Sequence, residues 1–160
     1  MDNKLKNYLA KNKIRYQLAE HKKVYTAFNE AETQHLKTKE VAKTVLVKAD
    51  NNYALVVVPA AKYVDFNKVK KALASAKGGS ASGGKKVSMA KESDIAKVLK
   101  TKVGLIHPFG TLYKLPVLLD NVLAKQKEFS TSAGSYTESV EIKTKDYMKL
   151  IQPIIGKFVK

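Results

Sequence analysis

Two short segments place residues that could do chemistry inside apolar surroundings. In the first, Lys43 and Thr44 interrupt the apolar run from residue 41 to residue 47. Taken alone, this pattern favours a structural interpretation, in which the lysine extends its amine to water from the rim of a strand. The second segment, residues 104–110, reads Gly-Leu-Ile-His-Pro-Phe-Gly and predicts a strand that ends in a Pro-Phe-Gly turn. Glycines beside such a turn let main-chain N–H groups approach a ligand closely, although a plain structural turn has the same composition.

Several other chemistries are excluded by what the sequence lacks. It contains no cysteine, which removes disulfides, thiol catalysis and cysteine-based zinc sites. No two histidines stand four residues apart, as in a helical zinc site, and there is no Gly-x-Ser-x-Gly elbow. Residues 79–85 approach a phosphate-binding loop, but Lys86 follows where a magnesium-binding hydroxyl is required, and a predicted helix precedes the segment. We therefore expect neither a metal nor a cofactor.

The charge of the chain favours a polyanionic partner. Thirty basic side chains against fourteen acidic ones give a net charge of +16, and the excess is spread along the sequence. Neutralising phosphates releases their condensed counterions, so a field of this size attracts nucleic acid. Arg15 is the only arginine, and lysine lacks the fork that reads base edges, so contacts to phosphates are expected more than base readout. The alternative is an ordinary lysine-rich solvated surface.

The hydrophobic pattern predicts an α+β fold. Helices are expected after caps at Asp2, Asp65 and Thr144, from about Asn29, and around 95–99. Strands are expected at 14–18, 45–47, 53–58, 87–89, 103–106, 116–119 and 140–142, the second and third forming a hairpin. Because helices and strands mix without regular βαβ alternation, we expect one compact domain over residues 1–160 with a mixed, curved sheet. The Gly/Ser segment 78–84 is predicted to be a flexible loop.

Nothing in the sequence points to a membrane. No apolar run approaches the roughly 20 residues that cross a bilayer, and the first residues lack the apolar stretch of a signal peptide. A cytoplasmic location is therefore expected, with no membrane partner.

Several motifs in a fixed order resemble a known family. They are Glu20-His21 before Tyr25-Thr26-Ala27, the strand 43–47, the hairpin into 55–60, Val64-Asp65, the Gly-x-x-x-Pro-Phe-Gly loop 104–110, Leu118-Leu119-Asp120 and Ser132-Ala133-Gly134. Together they resemble the YbaK family of aminoacyl-tRNA deacylases, which is related to the editing domain of bacterial prolyl-tRNA synthetases. The resemblance covers about residues 20 to 150.

The resemblance implies a mixed, barrel-like sheet whose pocket receives the 3′ end of a mischarged tRNA. It implies catalytic roles for Lys43 and Gly104. It implies that the substrate contacts His21, Thr26, Thr44, His107, Pro108, Phe109, Gly110, Ser132 and Gly134. An aminoacyl ester is already activated, so positioning and oxyanion stabilisation can supply most of the catalysis, with help from the 2′-hydroxyl of the substrate that the resemblance suggests.

The function expected from the resemblance is trans-editing: hydrolysis of a small residue such as Cys, Ala or Ser from tRNA(Pro). A synthetase such as prolyl-tRNA synthetase is a further expected partner. Two alternatives stay open at this point. One is a non-catalytic tRNA-binding module of the same fold that acts with a synthetase, and the other is a basic interaction protein whose lysines merely solvate it.

Overall fold

Helices and strands follow one another irregularly along the chain, as their pattern predicts. The computed structural model describes residues 1–23, 26–27, 31–32, 34, 36–75 and 86–160. The helices within them are α1 (Asn3–Lys11), α2 (Phe66–Ser75), α3 (Glu92–Val98), α4 (Asn121–Ala124) and α5 (Thr144–Ile151). The strands are β1 (Tyr16–Glu20), β2 (Ala42–Ala49), β3 (Asn52–Pro59), β4 (Val87–Met89), β5 (Val117–Asp120), β6 (Glu128–Ser132), β7 (Glu138–Lys143) and β8 (Ile154–Gly156). The predicted helix start near Asn29 and the Gly/Ser segment 78–84 lie outside the described residues.

The described strands form two sheets. The larger has the order β4-β2-β3-β5-β8, in which β4, β2 and β3 are antiparallel while β3, β5 and β8 run parallel. The smaller is antiparallel, in the order β1-β7-β6. A parallel bridge between Val41 and Ser130 joins the start of β2 to β6. The α+β class is confirmed, but the expected barrel does not close, because β4 and β8 remain at the edges of the larger sheet.

Strand β3 is buried on both faces and forms the centre of the fold. Leu55 and Val57 point into a core shared with the smaller sheet and α5, whereas Val56 and Val58 point into a second core beneath α2. This explains the unbroken apolar run of the strand, since side chains on both faces are removed from water. Each such burial contributes about 1.5–3 kcal/mol, so β3 holds its hairpin partner β2 firmly in place.

Two of the three predicted helix caps are confirmed. A carboxylate oxygen of Asp2 accepts the Lys4 N–H at 3.4 Å, and Asp65 accepts the N–H groups of Asn67 and Lys68 at 3.0 and 3.2 Å. The cap predicted at Thr144 is wrong, because Thr144 is the first residue of α5 and the cap position belongs to the preceding residue. None of the helices in the described ranges is long and apolar enough to cross a bilayer.

The strand predicted at 103–106 is also wrong. The Lys102 carbonyl accepts the Leu105 N–H at 3.1 Å, which closes a turn with Gly104 at a φ of +86°. That backbone conformation suits the third position of a type II turn and cannot continue a strand. Strands β6 and β8 were not predicted from the sequence.

Candidate active site

A cavity of about 410 Å³ opens where the larger sheet loses an edge strand. Strand β4 pairs with β2 only at Val47–Ala49, and beyond that point the edge of β2 borders the cavity. The other described walls are the start of α3, the turn at 103–106, the ends of β6 and β7 that face each other, and the segment after β1. Mainly apolar walls with a few converging polar groups are typical of ligand sites, and we call this space the β2 cavity.

Six of the eleven site residues expected from the sequence line the β2 cavity. They are His21, Thr26, Lys43, Thr44, Gly104 and Ser132. The structure thus brings together residues from the segment after β1, from β2, from the turn and from β6.

Thr44 directs its main-chain polar groups to the cavity edge. The Leu46 carbonyl accepts the Ala90 N–H at 2.9 Å, so the main-chain groups of Leu46 point away from β3. In an antiparallel strand every second residue points the same way, which directs the N–H and C=O of Thr44 to the same edge. Between the bridge at Val41 and the pairing at Val47, no described strand lies on that side.

The Thr44 hydroxyl is a further polar group beside this edge. Its Oγ1 is buried and has no hydrogen-bond partner among the described residues. A buried polar atom without a partner is costly and uncommon, unless a ligand or water satisfies it. The main-chain N–H and C=O of Thr44, together with this hydroxyl behind them, make the wall of the cavity polar at this point.

Lys43 lines the β2 cavity, but its side chain leaves β2 on the opposite face from that of Thr44. Its Nζ donates to the Lys62 carbonyl and lies 5.0 Å from the centroid of the Tyr63 ring. Burial lowers the pKa of Lys43 from its usual value of 10.5. An ammonium carries three N–H donors, so the bond to Lys62 leaves donors for an incoming ligand.

Residues 107–110, which were expected to contact the substrate, do not line the β2 cavity. Phe109 is fully buried, and its ring packs edge-on against Tyr147 with centroids 5.6 Å apart. The Tyr147 hydroxyl donates to the Pro108 carbonyl at 2.5 Å. A Cβ on Gly110 would approach Val117 Cγ2 to 2.4 Å, so close packing requires glycine there. This segment anchors the neighbouring turn at 103–106, which does line the cavity.

His107 and Gly134 border a separate cavity of about 170 Å³ beside the start of α1. The His107 ring is 3% exposed and stacks on Tyr113 with centroids 5.5 Å apart. Desolvation by burial lowers the pKa of His107 to about 4, so the imidazole is neutral near pH 7, even though Asp2 acts in the opposite direction. Gly134 has a φ of +79°, and a Cβ there would meet Asp2 Cβ at 2.7 Å.

Sequence reasoning missed four polar residues that line the β2 cavity: Glu92, Ser135, and Glu138 and Ser139 of β7. Ser139 is 1% exposed, and its Oγ lies 2.7 Å from Nε2 of His21, 118 residues away in sequence. No local pattern predicts such a pair, because it arises only when β1 and β7 pair. Two large apolar side chains at the mouth, Met89 and Val103, are 60% and 52% exposed.

The described residues contain no group of three or more His, Asp or Glu side chains close enough to hold a metal ion.

The fold itself belongs to a known structural class. The crystal structure of the hypothetical protein APE2540 matches 99% of this chain and 100% of that one, with a TM-score of 0.85 and 16% identity. A candidate trans-editing enzyme for prolyl-tRNA synthetase matches 100% of this chain and 99% of that one, with a TM-score of 0.77 and 15% identity. At such low identity these likenesses show a shared α+β architecture.

Sequence comparison identifies the family. Residues 21–150 match the aminoacyl-tRNA editing domain, and the chain belongs to this family. The resemblance found in the sequence is confirmed at this level. Over 77 residues the chain is 31% identical to the multifunctional Ser/Thr-tRNA deacylase ProXp-y of Escherichia coli (strain K12). That match covers 48% of this chain and 46% of ProXp-y, so it spans about half the length of the curated relative.

Proposed function

We propose that this protein is an aminoacyl-tRNA deacylase that acts in trans, hydrolysing the ester between a wrongly attached amino acid and its tRNA. The observation that carries the proposal is the β2 cavity, which is lined by Lys43 and by the open edge of β2 at Thr44. Membership of the aminoacyl-tRNA editing domain family and the net charge of +16 support it. The activity is expected in the cytoplasm, where aminoacyl-tRNAs are made and used, and we assign it to one domain over residues 1–160.

The size of the cavity supports a terminal nucleoside with a small amino acid as its occupant. About 410 Å³ lies at the lower end of the range of roughly 300–1,000 Å³ for small-molecule sites. It is too small for an acceptor stem, so the stem would lie outside, against the lysine-rich surface. Phosphate contacts of this kind position a nucleic acid without reading its sequence.

In the proposed mechanism Lys43 anchors the end of the tRNA. Its ammonium is held by the Lys62 carbonyl and the Tyr63 ring, two residues that do not line the β2 cavity, so it lies outside the apolar walls that would surround an amino-acid side chain. This position favours contact with the terminal nucleotide over polarisation of the ester carbonyl. The charge-assisted bonds of an ammonium to phosphate or ribose oxygens would hold the ester at a fixed distance from β2.

Main-chain groups would then stabilise the transition state. The Thr44 N–H at the open edge of β2 is a fixed donor in the wall, and the Gly104 turn brings a second stretch of main chain to the cavity. Each fixed N–H donor that points at a developing oxyanion commonly lowers the activation free energy by about 3–4 kcal/mol. The substrate's own 2′-hydroxyl assists the attack in the mechanism that the family resemblance implies.

The amino acid removed is proposed to be small, namely Ala, Cys, Ser or Thr. Met89 and Val103 narrow the mouth with large apolar side chains, and a pocket of fixed volume rejects larger groups sterically. Threonine is included because ProXp-y is described as a Ser/Thr-tRNA deacylase. tRNA(Pro) is the first tRNA to test, with prolyl-tRNA synthetase as a proposed partner, because a structural neighbour is described as a candidate trans-editing enzyme for that synthetase.

The test is a deacylation time course with purified protein. The substrates are tRNA(Pro) charged with Ala, Cys or Ser, together with Ser- and Thr-charged cognate tRNAs, and Pro-tRNA(Pro) serves as the control. Rapid loss of one or more of the small aminoacyl groups with Pro-tRNA(Pro) spared is the expected result. If the folded protein binds tRNA but hydrolyses none of these esters, even with prolyl-tRNA synthetase added, it is a non-catalytic binding module.

A further inference from the structure

Tyr63, in the turn after β3, is the most exposed large apolar residue in the described ranges. It is 73% exposed. The Lys43 Nζ lies 5.0 Å from the centroid of its ring, and Lys43 lines the β2 cavity, whereas Tyr63 does not. Single exposed apolar side chains are common on protein surfaces and need no function. The contact with Lys43, however, places this open aromatic ring beside a residue of the cavity wall.

The main chain at Tyr63 is fixed by the rest of the fold. The Tyr63 carbonyl accepts the Lys160 N–H at 3.1 Å. The next residue, Val64, is buried in the core beneath α2 and forms an antiparallel bridge with Val159. A tyrosine side chain has only two χ angles, so on a fixed main chain its ring offers contact area at a low cost in conformational entropy.

A second lysine–tyrosine pair, at the other end of β2, has a structural explanation that Tyr63 lacks. Lys48 Nζ lies 5.8 Å from the centroid of the Tyr53 ring. Tyr53 is half-buried and packs against the core shared by the two sheets, and its hydroxyl donates to Asp94 at 2.7 Å. Tyr63 takes part in neither of the two main cores, so packing does not explain why an aromatic residue stands at this position.

The charge around the Tyr63 ring is positive. Besides Lys43, the exposed lysines Lys62 and Lys160 adjoin it, the first as its neighbour in sequence and the second through the main-chain bond. Asp65, the acidic residue closest in sequence, accepts two N–H groups of α2 and lies 3.9 Å from Lys68 Nζ, so its charge is compensated. Proteins hold single-stranded nucleic acid with this combination, because bases stack on an aromatic ring while cations contact the phosphates.

We propose that Tyr63 is a stacking platform for the base of the penultimate nucleotide in the unpaired 3′ end of the tRNA. The inference rests on the proposed deacylase function, which puts the terminal nucleoside and its amino acid in the β2 cavity. Lys43 belongs to the cavity wall and its ammonium lies beside the Tyr63 ring, so the ammonium meets the phosphate that joins the last two nucleotides. The base that precedes this phosphate then reaches the ring. Tyr63 touches no reacting atom and is a positioning residue.

The test measures the binding of uncharged RNA hairpins by fluorescence anisotropy. The first hairpin reproduces an acceptor stem with its unpaired 3′ end, the second lacks that end, and the third has an abasic penultimate nucleotide. Alanine substitution of a stacking aromatic commonly costs about 5- to 150-fold in affinity, so Tyr63→Ala should bind the first hairpin at least about fivefold more weakly. Tyr63→Phe keeps the ring and should bind within about twofold of the wild type. Tyr63→Leu is the matched control, since it keeps apolar bulk without an aromatic face and should resemble Tyr63→Ala.

The other two hairpins separate stacking from an effect on the fold or on Lys43. All the variants should bind the hairpin without a 3′ end within about twofold of the wild type. The abasic hairpin should bind equally to the wild type and to Tyr63→Ala, because the substitution and the abasic site remove the same contact. In deacylation, Tyr63→Ala should raise KM and change kcat less than about threefold, since it removes a contact that is made equally in the ground state and the transition state.

The outcomes distinguish the two proposals, because the binding measurements need no hydrolysis. Tyr63→Ala that binds the first hairpin within about twofold of the wild type overturns the platform and leaves the deacylase function standing. A loss of affinity that is equally large with the abasic hairpin, or with the hairpin that lacks a 3′ end, overturns the platform in the same way. A wild type that shows the expected binding pattern but hydrolyses no charged tRNA overturns the deacylase function, and Tyr63 then holds the unpaired end in a binding module.

Discussion

Acid should destabilise this protein through one buried imidazole, that of His107. The ring is 3% exposed, and desolvation lowers its pKa from 6.5 to about 4, so the folded protein excludes a proton that the unfolded chain binds between those values. The stabilising effect of a neutral His107 is complete above pH 6.5 and is lost as the pH falls towards 4. The shift of 6.5 − 4, or about 2.5 units, corresponds to about 3 kcal/mol in the free energy of unfolding.

The assay is urea unfolding followed by far-ultraviolet circular dichroism at several pH values and constant ionic strength. Between about pH 7 and 5 the wild type should lose about 2 kcal/mol that a His107→Gln variant retains. His21, His35 and the carboxyl groups are common to both proteins, including Glu141, whose pKa burial raises, so their titration cancels in the comparison. Equal pH dependence in the two proteins would refute the argument, since it would mean that the imidazole is not excluded from water in the fold.

Three further predictions concern the site and its surface. Lys43→Ala should lower kcat/KM for the mischarged tRNA about 10- to 100-fold, because it removes a charge-assisted hydrogen bond to the substrate, and Lys48→Ala on the same strand should leave kcat/KM unchanged. Equal losses in the two variants would show that Lys43 has no special role. Thr44→Val removes a buried hydroxyl without a partner among the described residues, so thermal unfolding should show equal or greater stability of the variant. Deacylation by this variant should slow about tenfold, and an unchanged or higher rate would contradict a ligand-binding role of the hydroxyl. Affinity for uncharged tRNA, measured by fluorescence anisotropy, should fall at least about tenfold between 50 and 200 mM salt, as two phosphate contacts would require; a flat response would mean that phosphates are not contacted.

Much of the fold could be predicted because its signals are local. The caps at Asp2 and Asp65 and the apolar hairpin of β2 and β3 depend on neighbouring residues, and each was identified correctly. The strand predicted at 103–106 was wrong because Gly104, at a φ of +86°, turns the chain, whereas the apolar residues beside it favour a strand. Strand β6 could not be predicted, since its sequence Glu-Phe-Ser-Thr-Ser is largely polar and it is a strand through its pairing with β7.

The candidate site was only partly predictable for the same reason. Motif order pointed to Lys43, Thr44 and Gly104, all of which line the cavity. The same motifs also included Phe109, which belongs to the core, because an ordered motif does not distinguish a residue that lines a pocket from one that supports it. No sequence pattern pointed to Ser139, since its hydrogen-bond partner His21 is 118 residues away in the sequence.

The open edge of β2 bears on how such a protein can diverge. Every residue supplies a peptide C=O, and every residue except proline supplies a peptide N–H. Substitution of side chains along the strand therefore leaves these main-chain contacts in place. Side chains around the cavity are then free to vary, and with them the ligand that the cavity accepts, while the main-chain edge stays constant. The two structural neighbours are consistent with this freedom to vary, since they share the architecture at TM-scores of 0.85 and 0.77 although only 16% and 15% of their residues are identical to those of this chain. In the proposed deacylase, one aminoacyl group could therefore be exchanged for another while the main-chain contacts to the ester are kept.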